Sequence, residues 1–274
     1  ATHIAGTQDA FVHLMNNEAE KLGMNNTRYA TVMGLPAPNE YTCAYDLFKL
    51  ARAVMLDYPQ YFHWFGQKWF TYNDIKQPNY NKLLFLYPDA TGMKTGSTSY
   101  AGYSLVSSAS EKDNPMPLIA IVLGADNRMA SATGAEALLK YGFHFFKSKE
   151  FYKSSEVIKK ADVYLGESDE VPVVVEDSVW VTYPKDLKDK IRAQLKLHKT
   201  LKAPIKAGDK LGEVVFYIDK SSKYSDDKAD ISGDTDKKSE NKIILKKAAV
   251  IALNDVAQGG FFKRMKDHAR LFWV

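Results

Sequence analysis

The stretch Thr91-Gly-Met-Lys-Thr-Gly-Ser-Thr-Ser99 decides the fold of the first half of the chain, because two strand-like runs follow it. These runs are Tyr103-Ser-Leu-Val-Ser-Ser-Ala109 and Leu118-Ile-Ala-Ile-Val-Leu-Gly-Ala-Asp126, with a polar turn at residues 111–114 between them. Apolar runs of this length, bounded by turn residues, predict a hairpin of two buried strands. The opening stretch is therefore expected to form a strand beside this hairpin.

The tripeptide Lys94-Thr95-Gly96 carries groups suited to an anionic ligand. An ammonium at Lys94 can hold a carboxylate and lower the pKa of a neighbouring hydroxyl, while Thr95 offers a second hydrogen bond. Gly96 leaves room for an extended ligand, and the backbone N–H of Ser97 can face a developing oxyanion. Alone, the tripeptide also fits a solvated turn, so its meaning depends on the rest of the chain.

The spacing of apolar residues predicts the other elements. Helical spacing predicts helices over residues 7–23, 45–56 and 130–148, with a short helical turn after Pro59 and a loop-rich segment at 67–90. From Ser155 the pattern changes to short alternating runs, which predict a small all-β domain. These runs cover residues 171–175, 179–183, 191–197, 214–218 and 243–245. Residues 219–241 are rich in Asp, Lys and Ser and predict a solvated insertion.

The tail at residues 259–274 has the pattern of an amphipathic helix. Its apolar side comprises Phe261, Phe262, Met265, Ala269, Phe272 and Trp273. Lys263, Lys266 and Arg270 lie elsewhere on the helix, which suits an anionic bilayer surface. The alternative is a terminal helix docked on its own domain. The predicted organisation is thus 1–150, 151–258 and 259–274.

Composition excludes several classes of protein. With 274 residues, 45% of them hydrophobic, the chain can bury a sizeable core and exceeds the usual size of one domain. A net charge of +4 and the lack of a spaced basic and aromatic pattern argue against nucleic-acid binding. The single cysteine, Cys43, excludes an intrachain disulfide, and the histidines are not spaced as metal ligands. We expect no metal site, no cofactor and, without a run of about 18 apolar residues, no membrane span.

Together with Ser-x-x-Lys and Ser-x-Asn elements, Lys-Thr-Gly forms the serine acyl-enzyme set of penicillin-binding proteins and β-lactamases. Upstream lie Asn16-Asn-Glu-Ala-Glu-Lys-Leu-Gly-Met24, Val32-Met-Gly-Leu-Pro-Ala-Pro38 and Ala44-Tyr-Asp-Leu-Phe-Lys-Leu-Ala-Arg-Ala53. In the order and spacing of these segments, the chain resembles low-molecular-mass penicillin-binding proteins of the D-alanyl-D-alanine carboxypeptidase type. The resemblance covers residues 4–150 and continues more weakly through 155–274.

The resemblance implies an α+β fold. The expected architecture is the C-terminal part of a β-lactamase/transpeptidase-like domain, with helices packed on an antiparallel sheet, then a small all-β domain and an amphipathic C-terminal helix. The implied activity is serine-type removal of the terminal D-alanine from peptidoglycan pentapeptides through an acyl-enzyme. The implied partners are the stem peptide, β-lactams, an anionic membrane surface contacted through residues 259–274, and the N-terminal part of the same protein. The implied location is peripheral, on the periplasmic face of the bacterial cytoplasmic membrane.

The resemblance also implies roles for individual residues. Lys94 is expected to be catalytic and to bind substrate. The other expected substrate-binding residues are Thr95, Gly96, Ser97, Thr98 and Arg128. The family often has a carboxylate-binding arginine at the position of Ser131; Arg128, three residues earlier, is a candidate for that role, and a solvated surface arginine is the alternative.

Two motifs of the set are absent where the resemblance requires them. No Ser-x-x-Lys occurs in the first part of the chain and no Ser-x-Asn precedes Lys94. Ser155-Glu-Val-Ile-Lys159 has the wrong spacing, and Ser239-Glu-Asn241 matches only as a string in a charged loop. The nucleophile is therefore expected in an N-terminal piece outside this sequence, which leaves the chain alone inactive. The alternatives are a non-catalytic, membrane-attached module that holds a partner or the cell-wall polymer, and a β-lactamase.

Overall fold

The computed structural model of the protein describes residues 1–112, 114–219 and 242–271. It has two compact units, Ala1–Phe145 (unit 1) and Phe146–Val274 (unit 2). Both contain antiparallel sheets, and helices pack on the sheet of unit 1, which confirms the predicted α+β class. The predicted insertion at 219–241 lies, except for Asp219, outside the described residues.

Unit 1 alternates short helices with a small sheet. Its elements are α1 (Thr2–Ala5), α2 (Gln8–Lys21), α3 (Ala44–Asp57), α4 (Pro59–Phe62), a 3₁₀ helix (His63–Gly66), β1 (Trp69–Tyr72), β2 (Ile75–Pro78), α5 (Leu83–Leu86), β3 (Ala90–Thr98), β4 (Gly102–Glu111), β5 (Asn114–Ala125) and α6 (Arg128–Phe145). The predicted helices therefore exist, with ends shifted by a few residues.

Strands β3, β4 and β5 form an antiparallel sheet in that order. The two apolar runs form the predicted hairpin, β4 and β5, and the register of β3 on β4 pairs Lys94 with Val106 and Thr95 with Leu105. Helix α6 packs against β4 and β5, and its Leu139 and Phe143 are buried beside Leu105. Because opposite residues share a face, Thr95 lies on the side of the sheet that α6 covers. The helix thus brings its first residues near β3.

The carboxylate of Asp46 fixes the start of α3. It is completely buried and accepts hydrogen bonds from the backbone N–H of Asn26 at 2.7 Å, the Thr27 hydroxyl at 2.9 Å and Lys49 Nζ at 3.2 Å. Burial acts to raise the pKa of Asp46, but the hydrogen bonds from Thr27 and Asn26 and the charge of Lys49 outweigh it and lower that pKa. The interaction ties α3 to the segment that follows α2.

Two local predictions are wrong. Residues 67–90 are not mainly loop, because β1 and β2 form a hairpin and α5 follows it. The hairpin turns at Asn73 and Asp74, whose positive φ angles of 46° and 59° are those of a type I′ turn. The helix predicted to reach Ser148 ends at Phe145, since residues from Phe146 onward pair with a strand distant in sequence.

Unit 2 is mostly β. Its elements are β6 (Phe146–Tyr152), β7 (Val157–Tyr164), β8 (Glu170–Val175), β9 (Val179–Pro184), a 3₁₀ helix (Lys185–Lys190), β10 (Ile191–Leu197), β11 (Leu201–Lys202), β12 (Lys210–Asp219), β13 (Lys242–Ala252) and α7 (Phe261–Leu271). Strands order as β10-β12-β13-β8-β7-β11, and β6 pairs with β9. Val173, Val214, Phe216 and Val250 are buried in one apolar core.

Candidate functional site

Strand β3 presents the Lys-Thr-Gly residues at a sheet edge. Among the described residues β3 pairs only with β4, so one side of its backbone has no strand partner. Lys94 Nζ donates to the carbonyl oxygen of Thr95, which indicates that this carbonyl faces the outer edge. In an antiparallel strand the N–H and C=O of alternate residues point the same way, so the N–H of Ser97 faces that edge as well.

A cavity of about 240 Å³ lies along this edge and under the start of α6. Its lining residues are Tyr80, Lys94, Thr95, Gly96, Ser97, Tyr103, Ser104, Arg128 and Ser131. The lining thus combines two cations, Lys94 and Arg128, with hydroxyl groups. None of the described residues that line it is acidic. Such a surface suits a small anion that also accepts hydrogen bonds.

Arg128 begins α6 and is half-buried. Its guanidinium carbon lies 4.6 Å from the ring centroid of Tyr80. The helix start is capped by Asn127, whose Oδ1 accepts from the N–H of Ala130 at 2.8 Å, and the Ser131 hydroxyl donates to the Arg128 carbonyl oxygen at 3.0 Å. Arg128 is therefore stacked beside the cavity and is not a fully solvated arginine, whereas Ser131 is buried.

Gly96 lies where the cavity needs space. A Cβ built at this position would meet no described atom within 4 Å outside the neighbouring residues, and the backbone does not have a positive φ. By contrast, a Cβ at Gly92 on the same strand would come within 3.0 Å of Phe65 Cβ. The fold therefore needs a glycine for packing at 92 and not at 96, which leaves the open space beside Gly96 available to a ligand.

Thr98 is the one predicted binding residue that does not line this cavity. It ends β3 and lines a neighbouring cavity of about 790 Å³, which is bounded by residues 34–42 and by Tyr100. The two cavities share Ser104. The structure thus brings together Lys94, Thr95, Gly96, Ser97 and Arg128, and places Thr98 at the next opening along the strand.

Sequence reasoning missed part of the cavity lining. Tyr80 lies between the β1–β2 hairpin and α5, in a segment interpreted as loop. Tyr103 and Ser104 belong to β4, opposite Ser97 and Gly96, and their positions follow from the register once β3 is paired with β4. No motif marks Tyr80, because its place beside Arg128 depends on tertiary folding.

Helix α7 docks on unit 2 through a polar contact. Asp267 is completely buried, and its Oδ2 accepts the N–H of Leu165 at 2.8 Å, while Lys263 contacts Asp169. The side chains of Phe261, Phe262 and Met265 are exposed. Phe272 and Trp273, assigned to the same apolar side, lie outside the described residues. No helix in the described ranges is long and apolar enough to cross a membrane.

Comparisons with known proteins decide the family. Residues 1–127 match the family model for D-alanyl-D-alanine carboxypeptidase (Peptidase_S11), and residues 146–258 match that for the C-terminal domain of penicillin-binding protein 5. A crystal structure of penicillin-binding protein 5 from Haemophilus influenzae is 30% identical and aligns over 94% of this chain and 69% of its own, with a TM-score of 0.77. The chain belongs to the D-alanyl-D-alanine carboxypeptidase family of low-molecular-mass penicillin-binding proteins.

Other relatives of this carboxypeptidase family agree. The D-alanyl-D-alanine carboxypeptidase DacC of Escherichia coli is 34% identical over 97% of this chain and 61% of its own length. The crystal structure of penicillin-binding protein 6B from Escherichia coli is 33% identical over 80% of this chain and 59% of its own, with a TM-score of 0.60. The chain spans about three fifths of the length of the curated relatives it matches. The family predicted from the sequence motifs is confirmed.

Proposed function

We propose that this chain supplies the substrate-binding wall of a serine-type D-Ala-D-Ala carboxypeptidase, which removes the terminal D-alanine from peptidoglycan pentapeptides and is acylated by β-lactams. The observation that carries the proposal is the cavity at the edge of β3, where Lys94 and Arg128 bring two positive charges beside the open space at Gly96. A peptide ending in a free carboxylate fits both the charge and the extended shape of this edge.

Each residue of the wall has a separate task. Lys94 supplies the positive field and hydrogen bonds for proton movement at the reacting serine, and the Thr95 hydroxyl and Arg128 bind the terminal carboxylate. The N–H of Ser97 forms half of the oxyanion hole, while Gly96 admits the substrate backbone. Thr98 contacts the substrate where the strand meets the larger cavity.

The nucleophile comes from outside this sequence, whose first serine is Ser97 on the wall itself. A serine there attacks the carbonyl carbon of the penultimate D-alanine while a lysine accepts its proton. The C–N bond breaks as the lysine returns the proton to the leaving nitrogen, so the terminal D-alanine departs as an amine. Water then cleaves the acyl ester, which gives the shortened peptide acid and restores the serine hydroxyl. The chain alone is inactive in this scheme, because it binds without attacking.

The N-terminal part of the same protein is the proposed partner of unit 1. Two observations support this assignment: the outer edge of β5 has no strand partner among the described residues, and the β1–β2 hairpin leaves Trp69, Phe70 and Tyr72 exposed. Unpaired strand edges and clustered apolar side chains are surfaces that proteins normally cover.

A labelled β-lactam tests the activity. We expect no covalent label on the 274-residue chain, and labelling of the same chain extended by its upstream segment. In the extended protein Lys94→Met should slow acylation by about 100-fold or more, whereas Lys112→Met, in the turn after β4, should leave it unchanged. A covalent adduct on the chain alone would refute the external nucleophile. Failure of the extended protein to be labelled would refute the enzyme and favour the non-catalytic module.

We also propose that α7 holds the protein on the periplasmic face of the cytoplasmic membrane. The helix turns its buried Asp267 toward its own unit and leaves Phe261 and Phe262 exposed, so docking and membrane contact use different sides. Phe262→Ser should weaken sedimentation with anionic vesicles, whereas Tyr100→Ser, an exposed aromatic in unit 1, should not. Equal sedimentation of both variants and the parent would rule out the anchor.

A further inference from the structure

The contact between Tyr80 and Arg128 joins two segments that no motif connects. The guanidinium carbon of Arg128 lies 4.6 Å from the centre of the Tyr80 ring, and both side chains line the cavity beside Lys94. Among the described residues Arg128 has no carboxylate within ion-pair distance. A guanidinium held over a ring face keeps its in-plane N–H groups available to a ligand.

The loop that carries Tyr80 is fixed on both sides. The backbone N–H of Asn79 donates to the Lys68 carbonyl oxygen at 2.8 Å, and its side-chain amide donates to the Gln67 carbonyl oxygen at 2.9 Å. On the other side Asn81 is completely buried, and its Oδ1 accepts the N–H of Leu83 at 3.1 Å. The hydrogen bonds of Asn79 and Asn81 therefore fix the backbone on both sides of Tyr80.

Resting on the proposed function, we propose that Tyr80 is a positioning residue: its ring holds the Arg128 guanidinium beside the Lys94–Thr95 wall, where the arginine takes the terminal carboxylate of the substrate. Ser131 carries no charge, and its hydroxyl already donates to the Arg128 carbonyl oxygen, so it cannot replace the arginine as a partner for a carboxylate. Arg128 is the only arginine among the described residues that line this cavity. Stacking on the Tyr80 ring restricts the rotamers of its long side chain before a ligand binds.

This arrangement determines specificity for a free carboxylate. A planar guanidinium can donate two parallel hydrogen bonds to a carboxylate, while a neutral carboxamide accepts fewer and carries no charge. If Tyr80 orients Arg128, loss of the ring should reduce the preference for the free acid more than it reduces binding in general. Because the aromatic face holds the guanidinium, phenylalanine at position 80 should preserve the preference for the free acid.

The test measures binding of acetyl-D-Ala-D-Ala and its C-terminal carboxamide to the 274-residue chain, from the NMR shifts of the Gly96 and Ser97 amides. We expect the parent to prefer the free acid by about tenfold or more. Arg128→Gln should remove most of that preference. Tyr80→Leu should lower it about two- to fivefold, and Tyr80→Phe should keep it. Tyr58→Leu, at an exposed tyrosine that follows α3 and lines neither of the two cavities, is the matched control.

The outcomes separate this inference from the proposed function. If Arg128→Gln loses the preference but Tyr80→Leu keeps it, the role of Tyr80 is overturned and the carboxylate site stands. If Tyr80→Leu weakens both peptides equally, or Tyr80→Phe fails to preserve the preference, Tyr80 does not act through the orientation of Arg128. If the parent binds neither peptide, or binds both equally, the carboxylate site and this inference fall together.

Discussion

Helices α2 and α3 of unit 1 and the sheet of unit 2 bury very different shares of their apolar side chains. In α2 only Ala19 is buried, and α3 buries Asp46 and Ala51, while Leu14, Tyr45 and Phe48 remain exposed. In unit 2, β8 buries every valine, and Phe216 on β12 is completely enclosed. Unit 2 therefore closes its own core, whereas unit 1 carries apolar surface suited to a covering partner.

The largest expected effect comes from separating the two units. Residues 146–274 alone should unfold cooperatively in urea, because their core lies within the unit. Residues 1–145 alone should bind a hydrophobic dye and unfold at a lower urea concentration than residues 146–274, because α2 and α3 bury so little. Addition of the upstream segment should reduce dye binding by residues 1–145. The contrast between the units is wrong if residues 1–145 bind no dye and unfold at the same urea concentration as residues 146–274 or at a higher one.

The next effect is local to the core of unit 2. The ring of Phe216 lies 5.0 Å from that of Phe151 and 5.9 Å from that of Tyr152, between centroids. Phe216→Ala removes a completely buried aromatic and should lower the free energy of unfolding of unit 2 by about 3–5 kcal/mol. Urea denaturation measures this loss. Trp180→Ala, at a side chain 43% exposed in the same unit, should cost far less, and equal losses would contradict the core assignment.

The pattern of apolar and polar residues along the sequence predicted β4 and β5 but not the β1–β2 hairpin. The runs at 103–109 and 118–126 form β4 and β5 because each is a mostly apolar run and a polar turn separates them. The hairpin β1–β2 was missed because its strands are exposed on both faces and show no alternation. The Asn73-Asp74 turn was the available signal, since both residue types tolerate positive φ.

The candidate site likewise contains residues that one sequence motif predicts and residues that only tertiary packing brings together. Lys94, Thr95, Gly96 and Ser97 follow one another on β3, so one motif predicts their common position at the sheet edge. Arg128 required knowledge of where α6 begins relative to β3, and Tyr80 required the path of a loop. Such residues meet through tertiary packing, and spacing along the sequence does not encode that contact.

A third prediction concerns pH and the buried carboxylate of unit 1. The pKa of Asp46 is lower in the folded state than in the unfolded chain, where it is about 3.9. The ionised carboxylate therefore stabilises the fold at pH values above about 3.9, and this contribution is lost as the pH falls through the pKa of the folded state. Asp46→Asn should therefore lower the melting temperature of unit 1 near neutral pH by several degrees, with the difference from the parent shrinking under acid. Calorimetry between neutral and acidic pH measures both.

The control for Asp46 lies on α2. Glu18 is exposed and pairs with Lys21 three residues along the helix, so Glu18→Gln should change the melting temperature little at any pH. A difference between Asp46→Asn and the parent that stays constant down to acidic pH would show that shape, and not charge, is responsible.

The smallest effect on stability and the most specific effect on binding are expected at Gly96. Gly96→Ala adds a methyl group where no described atom lies within 4 Å, so the melting temperature of unit 1 should stay the same or rise slightly. The same methyl group occupies the space assigned to the substrate backbone and should weaken acetyl-D-Ala-D-Ala binding by about tenfold, the equivalent of about 1.4 kcal/mol. NMR titration and thermal melting of one sample give both values.

Gly92→Ala is the matched contrast. Phe65 already crowds that position, so this substitution should lower the melting temperature of unit 1. If Gly96→Ala lowers the melting temperature as much as Gly92→Ala does, the fold itself requires glycine at position 96. If Gly96→Ala binds the peptide as tightly as the parent does, the substrate does not pass over residue 96.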